Sequence, residues 1–195
     1  VAGKTYPLEE PFIVLATQNP LEMEGTYLLP EAQLDRFFFK LDVPFNTREE
    51  LNKILDRTTG TDDAACRKIL NGASILELRR TVRQVVAAPE VKDYVSRLVM
   101  ATHPELPDAA APAKKYLRWG SSPRGAQALL LAGKVQALIA SRYNVSFRDV
   151  QRIALPVLRH RVALNFEAQA DGMKEDAIIT KIVEAVATPE KALVG

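Results

Sequence analysis

The sequence predicts a mainly α protein with a small α/β part at its amino-terminal end. Two observations support this class: strand-like and turn-like stretches alternate up to about residue 46, and helix patterns with start signals follow from Thr47 onward. The composition agrees, because 195 residues that are 47% hydrophobic and 26% charged can build one sizeable core or two small ones. Such a chain is not intrinsically disordered. We therefore predict two domains, residues 1–46 and residues 47–195.

The amino-terminal part contains two predicted strands and a short helix. Residues 12–17 form an unbroken apolar run rich in β-branched side chains, which is typical of a parallel strand buried on both faces. Residues 37–43 place apolar side chains on one face, as in a strand near a sheet edge, and residues 30–36 can form a two-turn helix. Because each βαβ unit needs about 30 residues, we expect residues 1–46 to be the last part of a larger α/β domain.

The remainder predicts a bundle of five or six helices. Thr47 and Ser74 each have glutamate three residues later, which matches the capping box at a helix start. Residues 103–112 contain three prolines and predict a loop. The predicted helices are residues 48–59, 75–86, 90–102, 123–143, 147–162 with a kink at Pro156, and 175–187. Residues on the buried stripe and edge of the 123–143 helix are Leu130, Leu131, Lys134, Leu138 and Ile139.

The composition also excludes several classes. Cys66 is the one cysteine, so a disulfide framework and a thiolate metal site are excluded and a reducing compartment is expected. The longest mostly apolar stretch, residues 126–140, is interrupted by polar side chains and is too short to cross a bilayer. We see no signal peptide, so we expect a cytoplasmic protein. Because the first residue is Val1 rather than methionine, we also expect the chain to come from a longer protein.

Asn19 and Arg36 are candidate site residues at the edge of the predicted sheet. Asn19 follows residues 12–17 at the carboxyl end of the strand, where open α/β sheets bind ligands, and its amide can orient a polar ligand or water. The alternative is an asparagine that starts a turn before Pro20. Arg36 closes the short helix, where it could contact a phosphate across an interface. The alternative is a structural ion pair with the adjacent Asp35.

Arg124 is a candidate because of its position in a helix. Ser122 is the predicted N-cap and Pro123 the first helical residue, so the guanidinium lies in the first turn. A cation there is disfavoured by about 0.3–1 kcal/mol, and a helix amino terminus attracts anions. We interpret Arg124 as meeting an anionic ligand, with Gly125 allowing its close approach. The alternative is an arginine that reaches into water or onto a carboxylate.

Four stretches together resemble the MoxR family of AAA+ ATPases. They are Val14-Leu-Ala-Thr-Gln-Asn-Pro20, Glu24-Gly-Thr-Tyr27, Leu29-Pro-Glu-Ala-Gln-Leu-Asp-Arg-Phe37 and Ser122-Pro-Arg-Gly125, with a thinner match at Leu158-Arg-His-Arg161. The resemblance implies that residues 1–46 are the last strands of an AAA+ parallel-sheet core and that residues 47–195 are its all-helical lid. It also implies that Asn19 is sensor 1, that Arg36 is the arginine finger, and that Arg124 is sensor 2.

The resemblance further implies what the whole enzyme does. The parent would be an ATPase that uses ATP and Mg²⁺, assembles as a homo-oligomer of six subunits, and remodels or matures client proteins, including partners with von Willebrand A domains. The phosphate loop and the Walker B acids are absent from this sequence. We therefore expect this chain alone to be inactive and to bind no cofactor, membrane or nucleic acid.

Two alternatives without ATPase activity remain. One is a basic helical module that binds nucleic acid, because residues 47–195 carry 23 basic and 17 acidic side chains, a net charge of +6. The arginines it would use are Arg79, Arg80, Arg83, Arg159 and Arg161. The other is an adaptor that resembles a lid and never had a nucleotide domain. An upstream phosphate loop would decide between the adaptor and the ATPase.

Overall fold

The computed structural model describes residues 3–18, 29–60 and 66–188, and these ranges contain nine α-helices and two short strands. The predicted mainly α class is confirmed. The helices are α1 (Glu31–Leu34), α2 (Arg48–Thr58), α3 (Gly72–Gln84), α4 (Pro89–Met100), α5 (Ala111–Tyr116), α6 (Pro123–Ile139), α7 (Phe147–Leu158), α8 (Phe166–Ala170) and α9 (Glu175–Ala185); the strands are β1 (Leu117–Trp119) and β2 (Ala163–Leu164). None of these helices is both long and apolar enough to cross a membrane.

The chain divides into two compact units. The first consists of residues 1–14 and 41–79, and the second of residues 15–40 and 80–195. The predicted boundary after residue 46 concerns the domains of a longer protein. The division of this chain by contacts does not test that boundary, which stays a prediction. By contacts within this chain, the segment that contains Arg36 belongs with the helices that follow Arg80.

The first unit contains α2 and residues 72–79 of α3, and no residue of its described part is buried. The capping box at Thr47 is confirmed: Thr47 Oγ1 accepts from the Glu50 amide at 3.2 Å, and Glu50 accepts from the Thr47 amide at 2.8 Å. The capping box predicted at Ser74 is wrong. The helix begins at Gly72, and Asn71 Oδ1 accepts from the Ser74 amide at 2.8 Å.

The second unit contains the hydrophobic core. α7 packs against α6 and α9, α4 packs against α6, and α5 packs against α9. Fully buried side chains from four of these helices meet in the core, including Tyr94, Leu98, Leu129, Leu158 and Ile178. The two strands pair antiparallel beside this core, with Leu117 opposite Leu164. The second unit therefore holds a helical bundle with a short two-stranded ribbon.

Residues 12–17 and 37–43 form no strand, so those two predictions are wrong for this chain. A strand exists only with a hydrogen-bonded neighbour, and no described segment pairs with either stretch. The backbone of residues 37–40 instead contacts the end of α7: Phe37, Phe38 and Lys40 accept hydrogen bonds there, and the Lys40 amide donates to Pro156 O at 2.9 Å. This contact places residues 35–40 on the bundle.

The bundle differs from the prediction in further places. α5 begins at Ala111, within the last two residues of the predicted loop, and the short elements β1, β2 and α8 were not expected. α6 ends at Ile139 rather than at residue 143, and α7 ends at Leu158 rather than at residue 162. The buried positions of α6 are small residues, Gly125, Ala128, Ala132, Gly133 and Ala137, together with Leu129. Ile139, predicted at the edge of the buried stripe, is exposed. The small residues let α6 approach its neighbours closely, as at Gly133, where an added Cβ would lie 3.1 Å from Val145.

Candidate functional site

The structure brings the segment of Arg36 and the start of α6 together in the second unit. Arg36 directly follows Asp35, the C-cap residue of α1; it is exposed, and its guanidinium has no ion pair or hydrogen bond with a described residue. Arg124 is the second residue of α6, and its side chain is 54% exposed. Asn19 lies outside the described residues. The roles assigned to these three residues stay predictions.

Asp35 connects these segments through its carboxylate. Ser122 Oγ lies 2.8 and 2.9 Å from the two carboxylate oxygens and donates to them, and Arg124 Nη1 donates to Oδ2 at 3.1 Å. Arg161 Nε forms an ion pair with Oδ1 at 3.3 Å. The Asp35 side chain is 17% exposed. One largely buried carboxylate therefore contacts the N-cap of α6, a residue in its first turn, and the arginine that follows α7.

The carboxylate of Asp35 is held in its charged form. Burial alone would raise its pKa, but the hydrogen bonds from Ser122 and Arg124 and the charges of Arg161 and Arg124 outweigh burial and lower the pKa below its ordinary value. An anion is also favoured at the amino terminus of α6. The position of Arg124 predicts an anionic partner, and the Asp35 carboxylate of the same chain is such a partner. The structure therefore shows the alternative in which Arg124 reaches a carboxylate.

Arg161 holds the backbone on both sides of Arg36. Its side chain is 2% exposed. Nη2 donates to Asp35 O at 3.1 Å and to Phe37 O at 2.5 Å, while Nη1 donates to Phe38 O at 3.3 Å and to Val157 O. Five donors in a rigid planar fork make such multiple contacts possible, and a lysine could not reproduce them.

Arg159 and His160, the two residues before Arg161, also contact the segment of residues 35–40. His160 Nε2 lies 3.0 Å from Phe37 O, and Arg159 Nη1 donates to Lys40 O at 3.3 Å. Because Phe37 O can only accept, Nε2 carries the proton of the imidazole. Burial lowers the pKa of His160, the hydrogen bond to Phe37 opposes this, and the positive charges of Arg161 and Lys40 lower it further. His160 is therefore a neutral histidine that supports the segment next to Arg36.

Two interpretations from the sequence, the ion pair between Arg36 and Asp35 and the role of Gly125, can now be compared with these contacts. The ion pair between Arg36 and Asp35 is not formed, because the carboxylate is occupied by Ser122, Arg124 and Arg161. Gly125 does not serve ligand approach: a side chain there would overlap with Ser121 Oγ and lie 3.3 Å from Arg161 Cδ. Within residues 3–18, 29–60 and 66–188, no group of three or more histidine, cysteine, aspartate or glutamate side chains could hold a metal ion.

The geometry presents one exposed guanidinium beside a fixed cluster. Arg36 is the exposed residue, and the carbonyl groups of both its neighbours are held by Arg161. A guanidinium matches carboxylate and phosphate oxygens in pairs, so the arrangement is suited to an anionic group supplied by another chain or domain.

Comparison with known proteins identifies the family. Residues 1–39 match the model of the ATPase family associated with various cellular activities (AAA), and residues 109–182 match the AAA lid domain. Chaperone MoxR1 of Mycobacterium tuberculosis is 35% identical over 190 residues, which are 97% of this chain and 50% of that protein. The chain belongs to the MoxR family of AAA+ ATPases.

Other relatives agree with this MoxR assignment. Protein YeaC of Bacillus subtilis is 37% identical over 97% of this chain and 57% of its own length, and Protein MoxR of Paracoccus denitrificans is 28% identical over 88% and 53%. A crystal structure of a candidate ATPase from Cytophaga hutchinsonii superposes with a TM-score of 0.85 at 35% identity, covering 96% of this chain and 57% of that one. The chain thus spans about half the length of the curated relatives it matches.

Sequence reasoning missed three members of the cluster in this MoxR chain. From the sequence, Asp35 is named only as a partner of Arg36, Arg161 only as one arginine of a nucleic-acid module, and His160 only within the stretch that resembles the family. The stretch Leu158-Arg-His-Arg161 belongs to the family resemblance, which was the one available signal that these residues matter. Nothing in the sequence alone indicated that they contact residues 35–40, more than 110 positions away.

Proposed function

We propose that this chain is the part of a MoxR-family AAA+ ATPase that senses nucleotide and stimulates hydrolysis in a neighbouring subunit. The observation that carries the proposal is Arg36, an exposed arginine without a partner among the described residues, on a segment whose backbone Arg161 holds on both sides. A guanidinium kept free on a fixed backbone is suited to stabilising the charge that develops on a transferring phosphoryl group. In this proposal Arg36 is the arginine finger.

Arg124 and Asn19 have complementary roles in the proposal. Arg124 is sensor 2, and triphosphate oxygens compete with Asp35 for its guanidinium. Asn19 is sensor 1 and orients the attacking water near the γ-phosphate. Both roles follow from the resemblance to the family, and the contact between Arg124 and Asp35 at 3.1 Å supports the first, because it shows that an anion binds at this position.

ATP and Mg²⁺ would be held mainly by other parts of the longer protein. The guanidinium groups of Arg36 and Arg124 fit phosphate oxygens, but the described residues offer no carboxylate cluster for a metal ion. Mg²⁺, when bound, would supply positive charge that neutralises the phosphate oxygens. This chain's residues would contribute donors to the phosphates, so the chain by itself is expected to be inactive.

The assembly and the clients are also part of the proposal. We propose that Arg36 acts across a subunit interface, in a ring of six subunits in the cytoplasm. The work of the ring is the remodelling or maturation of client proteins, including those with von Willebrand A domains. MoxR1 is named a chaperone, which supports this class of function.

A nucleic-acid module receives little support from the contacts. Of the five arginines that it would use, Arg161 is buried against Asp35, and Arg159 makes a two-point contact with Asp176 at 2.7 and 2.9 Å. Arg79 pairs with Glu10 at 3.7 Å. Arg159 and Arg161 are therefore engaged by carboxylates of the chain, whereas the Arg79 pair is exposed and weak.

The test of the proposed function is Arg36→Ala in the full-length protein. We expect ATP turnover to fall by roughly 10³- to 10⁵-fold, as for other arginine fingers, while binding of a fluorescent ATP analogue is unchanged. Mixing this variant with one that lacks the phosphate-loop lysine should restore turnover, because the Arg36→Ala subunits keep an intact phosphate loop and receive the arginine of their neighbours.

The matched control is Arg148→Ala, which removes another exposed arginine of the second unit, on α7. It should leave turnover and the mixing experiment unchanged. Wild-type turnover in Arg36→Ala, or no restoration when the two inactive variants assemble together, would refute the role of Arg36 as an arginine finger.

A further inference from the structure

We propose that Asp35 and Arg161 are positioning residues for Arg36, and that Asp35 makes the position of Arg36 depend on the position of α6. This inference rests on the proposed function, because it assumes that Arg36 acts on a phosphate of a neighbouring subunit. It concerns two residues that touch neither substrate nor phosphate and act through Arg36.

Arg161 fixes the backbone from which the Arg36 side chain extends. A single guanidinium nitrogen, Nη2, donates to the carbonyl oxygens of both Asp35 and Phe37, at 3.1 and 2.5 Å. These two residues flank Arg36. Since the Arg161 side chain is buried and follows directly after α7, it ties the segment to the core of the bundle.

Asp35 ties the same segment to a different helix. Its carboxylate accepts from Ser122 Oγ, the N-cap of α6, at 2.8 and 2.9 Å. Ser122 Oγ also accepts from the Arg124 amide at 3.2 Å, so the serine links the carboxylate directly to the first turn of α6. A displacement of the start of α6 therefore acts on the residue immediately before Arg36.

The charge balance at Asp35 depends on what Arg124 binds. Asp35 faces two guanidinium groups, Arg161 on the buried side and Arg124 on the exposed side, together with the neutral Ser122 hydroxyl. If Arg124 turns to a phosphate, the carboxylate keeps Ser122 and Arg161 and remains paired. The link between α6 and the Arg36 segment thus persists while Arg124 changes partner, which allows nucleotide binding at Arg124 to shift Arg36.

The misplacement of a catalytic group by about 1 Å can cost on the order of 100-fold in rate. We therefore expect Asp35→Asn in the full-length protein to lower turnover at saturating ATP by roughly 10- to 100-fold without weakening nucleotide binding, because Arg124 only loses a carboxylate that competes with the nucleotide. Mixing with the phosphate-loop lysine variant should restore turnover, because the defect lies in the arginine that the Asp35→Asn subunit provides to its neighbour. A general loss of structure would not be restored by mixing.

The control variant is Asp149→Asn, at the opposite end of α7 from Arg161. Asp149 is also a largely buried carboxylate that contacts a serine N-cap and an arginine, so the chemical change is the same. It should leave turnover per assembled ring unchanged. If Asp35→Asn does not fold, Ser122→Ala provides the second test, because it removes the hydrogen bonds between Asp35 and the N-cap of α6 and leaves the pairs of Asp35 with Arg161 and Arg124 in place.

The outcomes separate this inference from the proposed function. Wild-type turnover in Asp35→Asn and Ser122→Ala, together with an inactive Arg36→Ala, would overturn the positioning role and leave the arginine finger intact. Reduced turnover in Asp35→Asn that mixing does not restore would also overturn it, because the defect would then lie elsewhere in the subunit. Wild-type turnover in Arg36→Ala would refute both proposals.

Discussion

Asp35 and Asp149 lie in the same unit and have the same kinds of partner, but they connect very different stretches of chain. Asp149 accepts from the backbone amide of Ser146 at 2.8 Å and from two nitrogens of Arg142 at 2.6 and 2.9 Å, so both partners lie within seven residues. Asp35 contacts Ser122 and Arg124, which are 87 and 89 residues away, and it also pairs with Arg161.

The two carboxylates therefore have different structural roles, although their chemical environments are similar. In both, burial raises the pKa, and hydrogen bonds and arginine charges lower it further than burial raises it. The Asp149 group is a local device that fixes the start of α7. The Asp35 group joins three separate segments, so its contacts form only when the whole bundle is folded. A displacement of one segment therefore changes the contacts of the others.

The largest effect that separates the two groups is expected for Arg161→Met. This variant leaves the Asp35 carboxylate without its buried partner and the carbonyl groups of Asp35 and Phe38 without their Arg161 donor, while Phe37 O keeps His160. Removing one partner of a buried ion pair costs about 3–5 kcal/mol, and urea unfolding should show a loss of this size. A loss below about 1 kcal/mol would mean that the Asp35 group contributes no more than a surface pair.

A smaller effect is expected for Asp149→Asn. The variant removes the charge from the capping box of α7, and helix-capping interactions are worth about 1 kcal/mol. The free energy of unfolding should fall by roughly that amount in the same urea experiment, well below the loss in Arg161→Met. A loss as large as that of Arg161→Met would show that the local and the long-range group are equally important to the fold.

The difference in sequence separation between contacting residues also explains which features could be predicted from the sequence. Helix starts depend on residues three or four positions apart, so the ends of α2 and α4 and the Ser122 N-cap follow from local patterns. The strand predictions failed because an apolar run has no preferred structure without a partner. In this chain the residues after Phe37 pair with the end of α7 instead.

The site was predictable only in part for the same reason. The unusual position of Arg124 in a first helical turn indicated an anion, and the structure places Asp35 there. That the anion would come from a residue 89 positions earlier could not be derived, because each of the chain's acidic side chains was an equally good candidate. The contact of Arg161 with four carbonyl groups could not be predicted either, because every residue has a backbone carbonyl and the sequence does not show which of them accept.

The smallest expected effect is a pH dependence that only the Asp35 region should show, through His160. Burial lowers the pKa of this histidine from 6.5, and its Nδ1 is buried without a partner among the described residues. The unfolded chain therefore binds more protons than the folded one below about pH 6.5, so stability should fall as the pH drops from there through the lowered pKa.

The test is His160→Gln, whose side chain can still donate to Phe37 O. Urea unfolding of this variant, compared between pH 7.5 and 5.5, should lack the part of the pH dependence that comes from His160. The control variant Asp149→Asn should retain it, because the pKa of Asp149 is lowered from 3.8 and its titration lies in stronger acid. Equal slopes for wild type and His160→Gln would contradict a neutral, buried histidine beside the Arg36 segment.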